Sequence, residues 1–386
     1  MDARWFGGVV ITFSACIAAF LAARAGVENQ PVQGSGWSPQ AAAAYLDKRA
    51  DWWLHSPTAA RDHETACVSC HTALPYALAR PALHAPLGEE SSAAPERLLL
   101  ANVVKRVTMW NEVEPFYPDQ TRGLPKTSES RGTEAVLNAL ILASHDAPTG
   151  RLSAEAQHAF DNLWPLQFKA GDFKGTWAWL NFHYEPWESS DSTYFGATLA
   201  ALAVGTAPGG YASSADLQPR VALLREYLHQ HADAQPLLNR VMLLWASAKL
   251  DGVLQPAERE AIADALAARQ HDDGGWSTAD LGRWKRLDAT AIDRASDGLA
   301  TGLVALALQQ ARRGSQDRAD PHVDAALRWL ARHQDAANGF WYAASLNKER
   351  DFASDPGKFM SDAATAYAVL ALTSGSATPG GSAPLR

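Results

Sequence analysis

The chain has 386 residues, is 47% hydrophobic, and carries a net charge of −8 with a pI near 5.8. That is enough apolar material for one large core or two ordinary domains. The basic residues form no patch, which excludes the electrostatic footprint of a nucleic-acid binder. The 14 tryptophans point to aromatic-lined cavities or to a repeat with one Trp each.

The N-terminus reads as a targeting segment. Trp5 to Ala23 carries no charge, Arg4 precedes it, and Ala23-Arg24-Ala25 before Gly26 resembles a cleavage site. Residues 1–25 are therefore expected to be a signal peptide, or else a membrane anchor, since 19 uncharged residues nearly span a bilayer. Lipidation at Cys16 is disfavoured by the apolar run that follows it. The expected location is periplasmic or otherwise extracytoplasmic, with membrane contact only through this segment. Cys67 and Cys70 are then the cysteines of the mature body.

Beyond it, apolar residues recur with a helical period and almost nothing alternates as a strand would. The pattern predicts twelve helices at 38–54, 67–80, 94–112, 130–145, 152–168, 191–205, 217–231, 235–249, 256–270, 295–313, 320–334 and 361–374. Ser38-Pro39, Ser153 and Asp320-Pro321 supply helix starts. Residues 26–375 are expected to form one domain. The Gly/Ser/Pro-rich tail, 376–386, is expected to be disordered.

A repeat emerges in the second half. Gln167, Gln270 and Gln334 each end a helix. A loop follows with Gly175-Thr176-Trp177, Gly274-Gly275-Trp276 or Gly339-Phe340-Trp341. Then come Ser190-Asp191, Ser296-Asp297 and Ser361-Asp362, each opening a helix of small apolar residues. Such helices, nearly free of charge, should be buried all round, whereas those before them are amphipathic. Alternation of the two kinds implies an inner and an outer ring. The expected fold is all-α, an α6/α6 toroid of six hairpins whose closure hides both ends of the array.

The sequence Gln270-His-Asp-Asp-Gly274-Gly-Trp276 resembles the Gln-x3-Gly-x-Trp repeat of squalene–hopene cyclases and protein prenyltransferase β-subunits. The segment from Gln334 to Trp341 fits with one extra residue. The resemblance implies a terpenoid cyclase/prenyltransferase-like toroid over about 150–375, and more loosely over 38–150. It does not bring the chemistry. The Asp-x-Asp-Asp cluster of the cyclases is missing, and no Cys lies near Asp297 or Asp362 to complete a prenyltransferase zinc site.

The strongest chemical signal is Cys67-Val-Ser-Cys70-His71, the attachment pattern of a c-type haem. In that reading the two thiols bond the haem vinyl groups on about one turn, and His71 ligates iron. Met360 and His183 are the leading candidates for the second axial ligand, with Met109 third. Arg131, Lys348 or Arg350 would pair with propionates or an acidic substrate. The alternatives are zinc held by Cys67, Cys70, His71 and Asp362, a Cys67–Cys70 disulfide, or no cofactor. Ring closure should bring the helix starts near 67 and 361 together.

Aromatic residues crowd the loops before the inner helices, including Tyr117, Phe182, Tyr184, Trp187 and Trp284. Those outside the Gly-x-Trp wedges are expected to line a mouth. Asp191, Asp297 and Asp362 read as helix caps, with general acid–base work as the other role. Other α6/α6 toroids cleave polysaccharides with such carboxylates and aromatic platforms. The leading expectation is an exported toroid with covalent haem at its mouth, acting in electron transfer with a redox partner protein. The alternative is a cyclase-like enzyme or a binder of an apolar small molecule.

Overall fold

The helices begin where the caps are. In the computed structural model, which describes residues 36–312 and 320–374, Ser38 accepts from the Ala41 amide at 3.1 Å and opens α1 (Pro39–His55). Then come α2 (Ala73–Ala79), α3 (Ala94–Thr108), α4 (Thr127–Asp146) and α5 (Ala154–Leu163), the last capped by Ser153. Next are α6 (Ser192–Thr206), α7 (Gln218–His231), α8 (Leu237–Ser247) and α9 (Pro256–Ala267). The series closes with α10 (Gly298–Ala311), α11 (Pro321–Arg332) and α12 (Phe359–Ser374). The N-terminal segment with Cys16 and the tail 376–386 lie outside the described residues. Among the described residues no helix is long and apolar enough to cross a membrane.

Even-numbered helices form the inner ring. Neighbours pack in order from α2 to α4, α6, α8, α10 and α12, and α12 returns to α2. The expected α6/α6 toroid is thus the observed fold. The inner helices carry the small-residue sequences, and in α10 every residue from Gly298 to Leu308 is buried. Small residues permit the close contact: a Cβ at Gly302 would lie 2.6 Å from the Ala368 amide nitrogen of α12.

The repeat motif is a bolt between hairpins. Gln270 donates to the Gly274 carbonyl and to the His322 carbonyl of the next outer helix, each at 2.8 Å. Trp276, fully buried, donates back to Leu266 at the end of α9 at 2.8 Å. Gln167 repeats this toward Arg220, and Gln334 toward Ser38, so the last bolt joins the sixth hairpin to the first. Gly339 must be glycine. Its φ is +79°, and a Cβ would stand 2.2 Å from the Ala41 carbonyl of α1.

The expected helix 67–80 is shorter than predicted. A two-stranded hairpin pairs Ala60–Arg61 with Thr65–Ala66, and the Cys67 amide continues it to Ala59 at 2.8 Å. Ser69 Oγ then accepts from the Thr72 and Ala73 amides and starts α2 there. Cys67 and Cys70 consequently lie on non-helical backbone before the helix, not on one helical turn with His71.

Candidate functional site

Loops from separate hairpins meet over the open end of the inner ring, and Asn347 ties them. Its side chain accepts from the Glu185 amide at 2.5 Å and donates to the Glu185 carbonyl at 2.9 Å. Its carbonyl receives the Leu287 amide at 2.7 Å. Arg286 donates twice to the Ser345 carbonyl, at 2.9 and 2.7 Å. The loops of the third, fifth and sixth hairpins thereby make one roof.

Glu188 sits under that roof. Its backbone is pinned to Tyr184 in both directions and to the Phe182 amide, each within 2.9 Å. Trp187 beside it is fixed because Trp179 donates to its carbonyl at 2.8 Å. Glu188 is half-buried as a residue, and its carboxyl is surrounded by protein. Burial pushes it up to about 7, against the pull of Arg122 and Lys126. Arg122 donates to the Tyr184 hydroxyl at 3.0 Å and Lys126 stands 4.9 Å over the Phe182 ring. Glu185 is also raised, chiefly by burial, and its Oε2 is buried without a partner.

His71 occupies the neighbouring wall. Its ring stacks on Phe359 at 3.7 Å, meets Trp53 edge-on at 4.9 Å and lies 6.4 Å from Trp187. Thr72 Oγ1 donates to Asp362 Oδ2 at 2.7 Å, and His71 Nδ1 is 2.8 Å from Thr72 Oγ1. The only hydroxyl proton of Thr72 goes to the carboxylate, so the imidazole donates from Nδ1 and leaves Nε2 as an acceptor. Burial, with Arg49 and Arg350, holds the imidazole down at about 3, so it is neutral near pH 7.

The other expected site residues take different places. Asp362 is a network centre inside α12, bonded by Tyr45, Arg49 and Thr72. Asp297 does cap α10, accepting from Leu299 and Ala300, and burial raises it to about 6. Asp191 precedes α6, is exposed and makes no side-chain cap bond. Arg131 is spent on the Val113 carbonyl and the Trp110 face, 4.6 Å away. His183 is an exposed loop residue in left-handed backbone. Met360 is buried in α12, and its neighbour Phe359 is the residue that meets His71.

These positions overturn the expectation of haem-based electron transfer. Cys67 and Cys70 are free thiols, 5% and 4% exposed, and burial pushes Cys67 up to about 12. Among the described residues no group of three or more His, Cys, Asp and Glu is placed to hold a metal ion. The residues present therefore fit neither the macrocycle nor the zinc alternative, whose Asp362 is committed to Arg49.

Comparison with known proteins agrees with this correction. No protein-family profile matches the sequence, and no curated protein sequence matches it. Among solved structures, the chain is similar to an unsaturated glucuronyl hydrolase described as UGL_D88N/dGlcA-Glc-Rha-Glc. The TM-score is 0.51 and the identity 10%, covering 86% of this chain and 95% of the other. It is also similar to the GH76A α-1,6-mannanase from Salegentibacter sp. HEL1_6, with TM-score 0.51 and 11% identity over 87% of this chain and 99% of that one. At such identities the likeness establishes the α/α toroid fold. Both toroids are carbohydrate hydrolases, not electron carriers.

Sequence reasoning singled out His71 as a haem ligand and did not single out Glu188. The available signal was a carboxylate directly after the aromatic run Trp177-Ala-Trp-Leu-Asn-Phe-His-Tyr-Glu-Pro-Trp187. The Ser190-Asp191 step two residues later is the stronger local pattern, because it recurs in the other units.

Proposed function

We propose that this chain is a carbohydrate-processing enzyme that hydrolyses a glycosidic bond under the roof of the toroid mouth, with Glu188 as proton donor. One observation carries the reading. Glu188 is a half-buried residue whose carboxyl accepts no hydrogen bond from a described residue and whose affinity for its proton is raised by burial to about 7. A general acid works best when its pKa lies near the working pH. Tyr184, Phe182, Trp187 and Tyr117 give the aromatic surface on which sugar rings pack.

In the reaction, the Glu188 carboxyl gives its proton to the glycosidic oxygen as the anomeric C–O bond breaks. Water adds to the anomeric carbon while hydrogen-bonded to His71 Nε2. That nitrogen takes the proton of the bound water, which is far more acidic once its oxygen is bonded to carbon. Thr72 and Asp362 hold the ring in the tautomer that can accept it.

The resemblance to cyclase-type repeats enters this proposal as a kinship of scaffold: the Gln, Gly and Trp bolts support it. Export, suggested by the uncharged N-terminal stretch, is part of the proposal and is tested by cell fractionation. The activity is tested by reducing-end release from a panel of neutral and acidic polysaccharides. We expect turnover of at least one, and a loss of about 10²–10⁴-fold in Glu188→Gln. A folded wild-type protein that turns over none of them, or a Gln variant as active as wild type, would refute the proposal.

A further inference from the structure

The loop from Gly282 to Arg294 carries four basic residues, Arg283, Lys285, Arg286 and Arg294, against two carboxylates, Asp288 and Asp293. It encloses a cavity of about 610 Å³ lined by Arg283, Lys285, Arg286 and Arg294, with Trp284 in its wall and no carboxylate among its lining side chains. Arg294 is neutralised by Asp280. Arg283 and Lys285 are exposed, and no ion pair with a described residue engages them.

Arg286 is the telling residue. It is 8% exposed, yet its hydrogen bonds go to neutral acceptors, the carbonyls of Ser345 and Ala291 and the Thr290 hydroxyl. A buried guanidinium with no carboxylate bonded to it is costly to keep, even with Asp293 and Glu349 in the neighbouring cavity, and a bound anion relieves that cost. Trp284 is held rigid by its own bond to the Thr278 carbonyl at 2.8 Å, and Gly282 makes room for it: a Cβ there would lie 2.2 Å from the indole ring. A fixed aromatic face beside fixed cations suits a ring that carries an acid group.

The cavity leads inward. It shares Arg286 and Ala291 with a second cavity of about 230 Å³, whose wall includes Arg350. The charge of Arg350 acts directly on His71. This inner cavity is lined by Asp293 and Glu349 as well as Arg286 and Arg350, so the unopposed positive charge belongs to the outer cavity beside Trp284.

We propose that the 282–294 cavity is a subsite for a carboxylated sugar, so that the substrate is an acidic, uronate-containing polysaccharide and not a neutral one. This rests on the carbohydrate-processing reading above and narrows it. The test uses Glu188→Gln, which keeps substrate intact, in affinity electrophoresis through gels containing polygalacturonate or neutral α-mannan. Polygalacturonate should retard the protein and mannan should not, and added salt should weaken the retardation. Adding Arg283→Ala and Lys285→Ala should weaken binding about ten-fold or more; both are exposed, so folding is preserved. Retardation by mannan that these changes leave untouched overturns the subsite but keeps the enzyme a carbohydrate-processing one. Equal retardation by duplex DNA overturns it as well, as indiscriminate polyanion attraction. No retardation by any glycan, together with no turnover by wild type, sinks both proposals.

Discussion

Replacing Glu188 by Gln tests the burial of that carboxyl independently of any substrate. The folded protein holds the proton up to about pH 7, whereas the unfolded chain releases it near the usual 4.5. Between those values the folded state binds more protons, so the stability that this group contributes is full below pH 4.5 and is lost as pH rises through 7. At pH 8 the wild type must hold a charged carboxylate in its buried position. The raised affinity corresponds to about 3 kcal/mol for a group shut off from water, and the partial exposure of the residue reduces this to about 1–3 kcal/mol. Gln is nearly isosteric and cannot ionise. Urea unfolding of both proteins at pH 4.5 and pH 8 should therefore show wild type and variant close together in acid. In base the variant should be the more stable by about 1–3 kcal/mol. A stability difference that does not change with pH would show that the carboxyl is not held in its protonated form, and the proton-donor role would lose its basis.

Three further expectations concern the frame. Gly339→Ala forces a Cβ against the Ala41 carbonyl at the seam that closes the ring and should cost about 2–4 kcal/mol. Gly171→Ala, also left-handed but with open space around it, should cost only about 1 kcal/mol by thermal melting; equal losses would refute the closure argument. Arg106 and Glu134 form an ion pair at 2.5 Å with both side chains fully buried, so Glu134→Ala strands the guanidinium and should cost about 3–5 kcal/mol by urea unfolding; a loss under about 1 kcal/mol would contradict this. Thr72→Val removes the acceptor for His71 Nδ1. Nitrogen-15 spectra of the imidazole should then move from the Nδ1–H toward the Nε2–H tautomer, and unchanged shifts would show that the relay does not set it.

Most of the architecture was legible in one dimension. Helical periodicity, Ser and Asp caps and the contrast between amphipathic and small-residue helices are local properties, and they imply two rings directly. The Gln, Gly and Trp bolts were visible as a repeat because each performs the same job at each hairpin. The ring closure was also legible, since twelve alternating helices leave no other way to bury both ends, and Gln334 bonding Ser38 is its physical form.

What the tertiary structure alone decided was chemistry. The Cys-x-x-Cys-His order looks the same in sequence whether the thiols face a cofactor or the core, and only packing places Cys67 and Cys70 among buried side chains with Phe359 against His71. Asp191, Asp297 and Asp362 share one motif position, yet one is exposed, one caps a helix and one anchors an Arg49 network. Glu188 has no local signature of a raised proton affinity, because desolvation comes from chain segments far away in sequence. Arg286 likewise is an ordinary basic residue until Ser345, on another hairpin, fixes it with no carboxylate bonded to it. Backbone conformation follows from near neighbours along the chain, and the sequence by itself determined it. Burial and charge balance follow from neighbours in space, and those only the folded ring decided.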